Sequence, residues 1–126
     1  ARIVATERMP ESTFLAEADG GLLGFVNVCA ARDEALGTAG EVAALYLLRR
    51  AQRRGIGTAL LRQGAARLLE AGYPSAGAWV LDANAGARAF YAATGAVPGA
   101  RQTGWRGPHA IAETAYLWPD LRALLP

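Results

Sequence analysis

The sequence predicts an α/β domain, of the α+β kind, in which a mixed and mostly antiparallel central sheet is flanked by helices. Three observations predict it: a hairpin pattern near the start, a continuously apolar segment that runs into an amphipathic helix, and shorter apolar runs separated by a second helix. The chain has 126 residues and a hydrophobic content of 52%, which suits one compact core. We therefore expect residues 1–126 to form a single domain.

The hairpin is predicted from two apolar runs on either side of a turn. The runs are Phe14 to Ala18 and Leu22 to Ala30, and Asp19-Gly20-Gly21 between them is a turn signal. Alternation along the second run predicts two opposite faces of a strand. The first face carries Leu23, Phe25, Asn27 and Cys29, and the second carries Gly24, Val26 and Val28. The polar stretch from Arg32 to Gly40 is predicted to be a loop.

A central strand followed by a helix is predicted next. Val42 to Leu48 is continuously apolar, which favours a strand in the middle of the sheet and covered on both faces. From Ile56 to Ala71, polar side chains recur at helical spacing while apolar side chains cover the opposite side, and Gly72 ends the helix. The polar side consists of Gln63, Arg67 and Glu70, and the apolar side of Ile56, Leu60, Leu61, Leu68 and Leu69.

The remaining elements are shorter. Gly77 to Leu81 is predicted to be a strand, and Asn84 can cap a helix that runs to Thr94 and ends at Gly95. One or two closing strands follow, the last including Ala115 to Trp118.

Composition excludes several classes of function. A single cysteine, Cys29, excludes an internal disulfide, and with one histidine it argues against a cysteine/histidine zinc site. No apolar run approaches the roughly 18 residues of a membrane span, and no export signal is seen, so we expect a soluble cytoplasmic protein without membrane partners. The formal charge of +2 is too small for a dedicated nucleic-acid binder.

The most informative segment connects the central strand to the first helix. Glu41 to Leu48 leads through Arg49-Arg50-Ala51 into Gln52-Arg53-Arg54-Gly55-Ile56-Gly57. Backbone N–H groups at a glycine-bearing helix start, together with the helix dipole, favour a phosphate or pyrophosphate ligand. A P-loop is excluded because the chain has no lysine, and a dinucleotide fingerprint is excluded because position 60 is leucine. A turn without a ligand remains an alternative.

Two signatures in this chain resemble the GNAT superfamily of acyl-CoA-dependent N-acetyltransferases. Residues 52–57 satisfy the pattern Gln/Arg-x-x-Gly-x-Gly/Ala at a helix start. Downstream, residues 79–84 lead to Ala87-Arg88-Ala89-Phe90-Tyr91 and Gly95-Ala96, which is similar to the second signature except that Ala96 replaces the usual aromatic residue. The resemblance covers roughly residues 14 to 118 and implies the GNAT fold.

The resemblance implies acetyl-CoA as the acyl-donor substrate, with no metal. The backbone amides of residues 53 to 58 would hold the CoA pyrophosphate, and the strand at residues 45 to 47 would pair with the pantetheine arm. Asn84 would touch that arm, cap its helix, or do both. The residues so implied are Leu45, Tyr46, Leu47, Gln52, Arg53, Arg54, Gly55, Ile56, Gly57, Thr58 and Asn84. The neighbouring basic residues Arg49 and Arg50 would add attraction for phosphates, or would belong to a solvated turn.

The resemblance also supplies candidates for the chemistry. An amine must lose a proton before it attacks the thioester, and Glu41 is the candidate base, acting directly or through water. A free backbone N–H near Leu47 would stabilise the oxyanion. Tyr91 is the candidate acid for the departing thiolate. The structural alternatives are a surface glutamate and a core tyrosine; weaker candidates for the acceptor pocket are Tyr46, Trp105 and His109.

Several expectations remain open from the sequence. The hairpin begins after only 13 residues, so the strand and helices that usually precede it in this family are expected to be missing, shortened or supplied by another subunit. The acceptor is an unidentified amine, and a homodimer is compatible with the sequence. The alternatives to an enzyme are a CoA-binding module without catalysis and a nucleic-acid patch at the arginine cluster, although no aromatic residue is interleaved there. This cluster consists of Arg49, Arg50, Arg53 and Arg54.

Overall fold

A computed structural model describes residues 2–5 and 12–126. The strands and helices are β1 Arg2–Ala5, β2 Ser12–Ala18, β3 Gly21–Ala30, β4 Gly40–Leu47, α1 Ile56–Glu70, β5 Ala76–Leu81, α2 Ala85–Ala93, β6 Val97–Arg106 and β7 His109–Trp118. Short 3-10 turns occupy residues 34–36, 49–51 and 121–124. The strands form one seven-stranded sheet in the order β1-β2-β3-β4-β5-β7-β6, in which β4 and β5 pair in parallel and the other pairs are antiparallel. The mixed, mostly antiparallel sheet predicted from the sequence is confirmed.

The predicted hairpin is present as β2 and β3. Asp19 and Gly20 both have positive φ, of 53° and 75°, as a tight two-residue turn of the primed type requires. The predicted face of Leu23 is wrong. A bulge shifts the register between Ala16 and Glu17, so Leu23 lies in the core beside Val26 rather than on the face of Phe25.

The predicted central strand is β4, which lies fourth in the sheet. The expectation that it is covered on both faces is wrong at its C-terminal end, where Ala44 is exposed and Tyr46 is 53% exposed. The reason is that α1 and α2 both contribute to one buried cluster, which takes in Val42 and packs Leu45 from β4. At the C-terminal end of β4, the side chains that point away from this cluster, those of Ala44 and Tyr46, therefore meet solvent.

Both predicted helices are confirmed, with their ends. Gly55, with φ of +79°, precedes the first turn of α1, and Gly72, with φ of +94°, follows its end. At the start of α2, the Asn84 side-chain oxygen accepts a hydrogen bond of 3.0 Å from the Ala87 N–H. The left-handed Gly95 follows α2, as the sequence indicates.

A strand of four residues precedes the hairpin, so of the alternatives that the sequence left open, this strand is not missing from the chain. β1 pairs antiparallel with β2, with Ile3 opposite Ala16, and residues 6–11, which connect the two strands, lie outside the described part of the chain. Four residues are too short a run to give a clear pattern in the sequence. Across residues 2–5 and 12–126, no helix is long and apolar enough to cross a membrane.

Candidate active site

The site begins at a fork between β4 and β5. Their parallel ladder contains only two pairs, Gly40 with Ala76 and Glu41 with Gly77, after which β4 stays paired with β3 alone. The N–H of Leu48 bonds to a carbonyl of β3 at 2.8 Å. Because N–H groups alternate between the two edges of a strand, those of residues 45 and 47 point toward the gap left by β5.

The gap opens into a cleft of about 690 Å³, a size suited to a small-molecule ligand. Its walls come from the end of β4, the turn before α1, the first turn of α1 and the first two turns of α2. The lining residues are Leu45, Tyr46, Leu47, Gln52, Arg53, Gly55, Gly57, Thr58, Asn84, Gly86, Ala87, Ala89, Phe90 and Tyr91. The cleft thus brings together most of the cofactor residues that the sequence suggested, along with Tyr91.

Two of the cofactor residues suggested by the sequence, Arg54 and Ile56, do not line the cleft. Ile56 is buried in the core beneath the turn, and the Arg54 side chain is exposed without lining the cleft. Gly86, Ala87, Ala89 and Phe90 also line the cleft and were not predicted as site residues, although the helical spacing from Asn84 to Tyr91 places them beside the predicted site. Phe90 approaches α1 closely because Gly57 has no side chain: a Cβ there would lie 3.3 Å from the Phe90 ring.

The turn before α1 presents backbone donors to the cleft. Within the described residues, the N–H groups from residue 53 to residue 58 have no hydrogen-bond partner, whereas the N–H of Ala59 bonds to the Gly55 carbonyl at 3.0 Å. Arg53 has a φ of +60°, in the left-handed region that side chains other than glycine seldom adopt. Unsatisfied donors, backbone strain and the positive end of a helix dipole together suit a bound anion.

The basic residues at this turn reinforce its potential. Arg49, Arg50, Arg53 and Arg54 lie at the surface, and none of them takes part in an ion pair among the described residues. Their charges therefore add to the field of the helix start rather than being neutralised.

Asn84 and Tyr91 lie on the α2 side of the cleft. Asn84 lines the cleft while its side chain caps α2, so the two roles considered from the sequence are compatible. Tyr91 is 7% exposed, and its ring lies 5.3 Å edge-on from Trp118 and 5.4 Å from Phe90 between centroids. Burial raises the pKa of the Tyr91 phenol to about 12, so the group is protonated at neutral pH.

Glu41 lies at the fork itself, outside the set of residues that line the cleft. It is 2% exposed, and Arg32 engages both of its carboxylate oxygens. Burial alone would raise the pKa of this carboxyl, but the Arg32 hydrogen bonds and charge hold it below the ordinary value. The sequence predicts Arg32 only as part of a loop, since nothing in a loop sequence indicates a contact with a strand residue nine positions later.

The weaker candidates are scattered. Tyr46 lines the cleft and packs at 6.1 Å, between centroids, against Phe25 of β3. Trp105 is 74% exposed near the end of β6, and His109 begins β7; neither lines the cleft. Among the described residues, no three His, Cys, Asp or Glu side chains gather in a way that would hold a metal ion.

Comparison with known proteins identifies the family. A model described as the acetyltransferase (GNAT) family matches residues 2–96. The chain is similar to the uncharacterized N-acetyltransferase YuaI of Bacillus subtilis (strain 168), with 36% identity over 118 residues that cover 93% of this chain and 68% of that protein.

Solved structures share the fold at low identity. An N-acetyltransferase from Staphylococcus aureus Mu50 has a TM-score of 0.71 and 19% identity, with 88% of this chain and 68% of that chain covered. A provisionally assigned streptothricin acetyltransferase from Bacillus anthracis str. Ames, solved in complex with acetyl coenzyme A, has a TM-score of 0.77 and 15% identity, with 89% and 64% covered. By the family match and by its identity with the Bacillus subtilis protein, the chain belongs to the GNAT family of acetyltransferases.

Proposed function

We propose that this chain is an N-acetyltransferase that moves an acetyl group from acetyl-CoA to a primary amine by direct attack. The observation that carries the proposal is the row of unpartnered N–H groups at residues 53–58, which borders a cleft that opens at the fork of the sheet. The similar Bacillus anthracis structure, which contains acetyl coenzyme A, supports the same donor for this chain.

The donor would bind along the cleft in two parts. The amides of residues 53–58 and the nearby arginines suit the diphosphate of CoA, and the N–H groups of Leu45 and Leu47 suit an extended amide-bearing arm. Asn84, on the opposite wall, offers its side chain to the same arm. The acetyl thioester supplies the carbon that the amine attacks.

The chain supplies groups for each proton and charge in the transfer. Glu41 takes a proton from the acceptor, directly or through water, so that a neutral amine attacks the carbonyl carbon and a C–N bond forms. The N–H near Leu47 stabilises the oxyanion. As the C–S bond breaks, Tyr91 donates its phenol proton to the departing sulfur, and the surplus proton on the attacking nitrogen passes to solvent. Proton exchange with solvent then returns Tyr91 to the phenol and Glu41 to the carboxylate.

A second candidate function is a CoA-binding module that does not catalyse transfer. The Glu41–Arg32 ion pair favours this alternative to the extent that it occupies both oxygens of the candidate base. The two candidates diverge once the donor has bound, since the module holds CoA and transfers nothing. The proposal includes a cytoplasmic location and is compatible with a homodimer.

Calorimetric titration with acetyl-CoA, combined with an amine-panel assay of free thiol release, tests the proposal. An enzyme should bind acetyl-CoA and release thiol with at least one amine. Binding without thiol release across small amines, polyamines and peptide N-termini would favour the module. Absence of binding would refute both.

A further inference from the structure

Arg32 makes an unusually complete contact with Glu41. Its backbone N–H donates to Glu41 Oε1 at 3.0 Å, its Nε donates to the same oxygen at 3.2 Å, and its Nη2 donates to Oε2 at 2.8 Å. Charge-assisted bonds of this paired form fix direction as well as position. The carboxylate therefore has one defined orientation at the fork.

The loop that carries Arg32 is itself anchored at the fork. The Ala31 N–H bonds to the Ala39 carbonyl at 2.9 Å and closes the base of the loop. Leu36, 1% exposed, packs on Gly77, where a Cβ would come within 2.9 Å of the leucine side chain. Gly77 is also the residue opposite Glu41 in β5. The loop thus holds Arg32 against the point where β4 and β5 separate.

Among the described residues around Glu41, Arg32 is the cation that faces its carboxylate. On β3 the opposite residue is Cys29, a buried thiol, and on β5 the opposite residue is Gly77, which has no side chain. The acids at residues 33–34 of the loop are exposed. Of the described charges, that of Arg32 is the one that acts on the Glu41 carboxyl.

We propose that Arg32 is a positioning residue for acetyl transfer, which fixes the Glu41 carboxylate at the fork and keeps it ionised until it accepts the acceptor's proton. The inference rests on the proposed function, and it gives the 31–39 loop a part in catalysis. A buried carboxylate that lost this cation would take up a proton and stop acting as a base until the pH was raised.

The test compares Arg32→Gln and Arg32→Lys with wild type in the pH dependence of kcat/KM. Removing the cation should move the acid limb of the profile to higher pH, because the burial that raises the pKa of the Glu41 carboxyl would no longer be opposed by the Arg32 hydrogen bonds and charge. Arg32→Lys keeps the positive charge but loses the paired hydrogen bonds of the guanidinium, so its acid limb should shift less than that of Arg32→Gln. The acetyl-CoA Kd should not change, since Arg32 does not line the cleft.

Arg122→Gln is the matched control, because Arg122 forms an exposed ion pair with Asp120 at 3.0 Å and lies outside the site. It should leave the profile unmoved. If Arg32→Gln does not fold, Arg32→Lys carries the test, and the double variant R32Q/E41Q, which removes both members of the ion pair, should fold but lose most of its turnover because the candidate base is gone. Titration of the Glu41 carboxyl by carbon NMR in wild type and Arg32→Lys gives a readout that does not need turnover.

The outcomes separate the two claims. A wild-type protein that transfers acetyl groups, with an acid limb that Arg32→Gln does not move, overturns the role of Arg32 alone. The role of Arg32 is also overturned if Arg32→Lys changes neither the NMR titration of the Glu41 carboxyl nor the pH dependence of kcat/KM. A wild-type protein that binds acetyl-CoA but transfers to no amine overturns the proposed function, and the positioning role with it.

Discussion

Replacement of Tyr91 by phenylalanine separates the chemistry from the fold. The ring keeps its contacts with Phe90 and Trp118, and no hydrogen bond to the hydroxyl is found among the described residues. Loss of one hydroxyl from such a site is a nearly volume-conserving change, so we expect the free energy of unfolding to change by less than about 1 kcal/mol. The effect on turnover should be much larger.

The magnitude can be worked out from the protonation state. With its pKa raised to about 12, the Tyr91 phenol is protonated across the working pH range, so the proton is present, and the same burial makes it a weaker acid than a free phenol. A positioned general acid typically contributes about 10²- to 10⁴-fold. Tyr91→Phe should therefore lower kcat by about two orders of magnitude or more, equivalent to about 2.7 kcal/mol in the activation barrier for each hundredfold.

Thiol release measures kcat, and calorimetry with acetyl-CoA measures whether donor binding survives. The control is Tyr116→Phe, because Tyr116 is also buried, lies 6.4 Å from Tyr91 between ring centroids, and does not line the cleft. Tyr116→Phe should retain wild-type turnover, and both variants should bind acetyl-CoA like wild type. Wild-type turnover in Tyr91→Phe would refute the assignment of Tyr91 as the acid.

Two further predictions concern the turn and the phenol. Gly55→Ala forces a side chain into the left-handed region, where φ is +79°, so it should cost about 1–2 kcal/mol of stability and weaken acetyl-CoA binding. The control is Gly104→Ala, which lies in open space with an ordinary φ and should change neither quantity. Denaturant melts and calorimetry measure both variants, and equal effects in the two would contradict the prediction. The pKa of Tyr91 in the folded state, about 12, lies above its unfolded value of about 10. The free energy of unfolding should therefore not depend on this group below pH 10 and should fall by up to about 2.7 kcal/mol as the pH rises to 12. Denaturant melts at alkaline pH should show this loss in wild type and not in Tyr91→Phe.

The sequence predicted local features well, because they depend on local chemistry. The turn at Asp19-Gly20, the cap at Asn84 and the ends of α1 are all set by residues that favour particular backbone angles. The glycine-bearing turn at residues 52–57 was predicted for the same reason, and the cleft forms beside it.

The features that the sequence did not predict depend on distant partners. The position of Leu23 depends on a bulge that is set by pairing with β2, and the exposure of Tyr46 depends on which face the helices cover. The pairing of Arg32 with Glu41 is also a tertiary contact, made when the 31–39 loop folds back on the fork. Short β1 was missed because its four residues are ordered by the hairpin beside them rather than by their own pattern.

The most direct test of the account is an amide NMR titration of the protein with CoA and, separately, with pantetheine. If the backbone donors at residues 53–58 hold the diphosphate, the largest shifts on adding CoA should fall on those amides, and pantetheine, which lacks the diphosphate, should leave them nearly unchanged while shifting the amides of Leu45 and Leu47. CoA binding that leaves the amides of residues 53–58 unmoved would contradict the account.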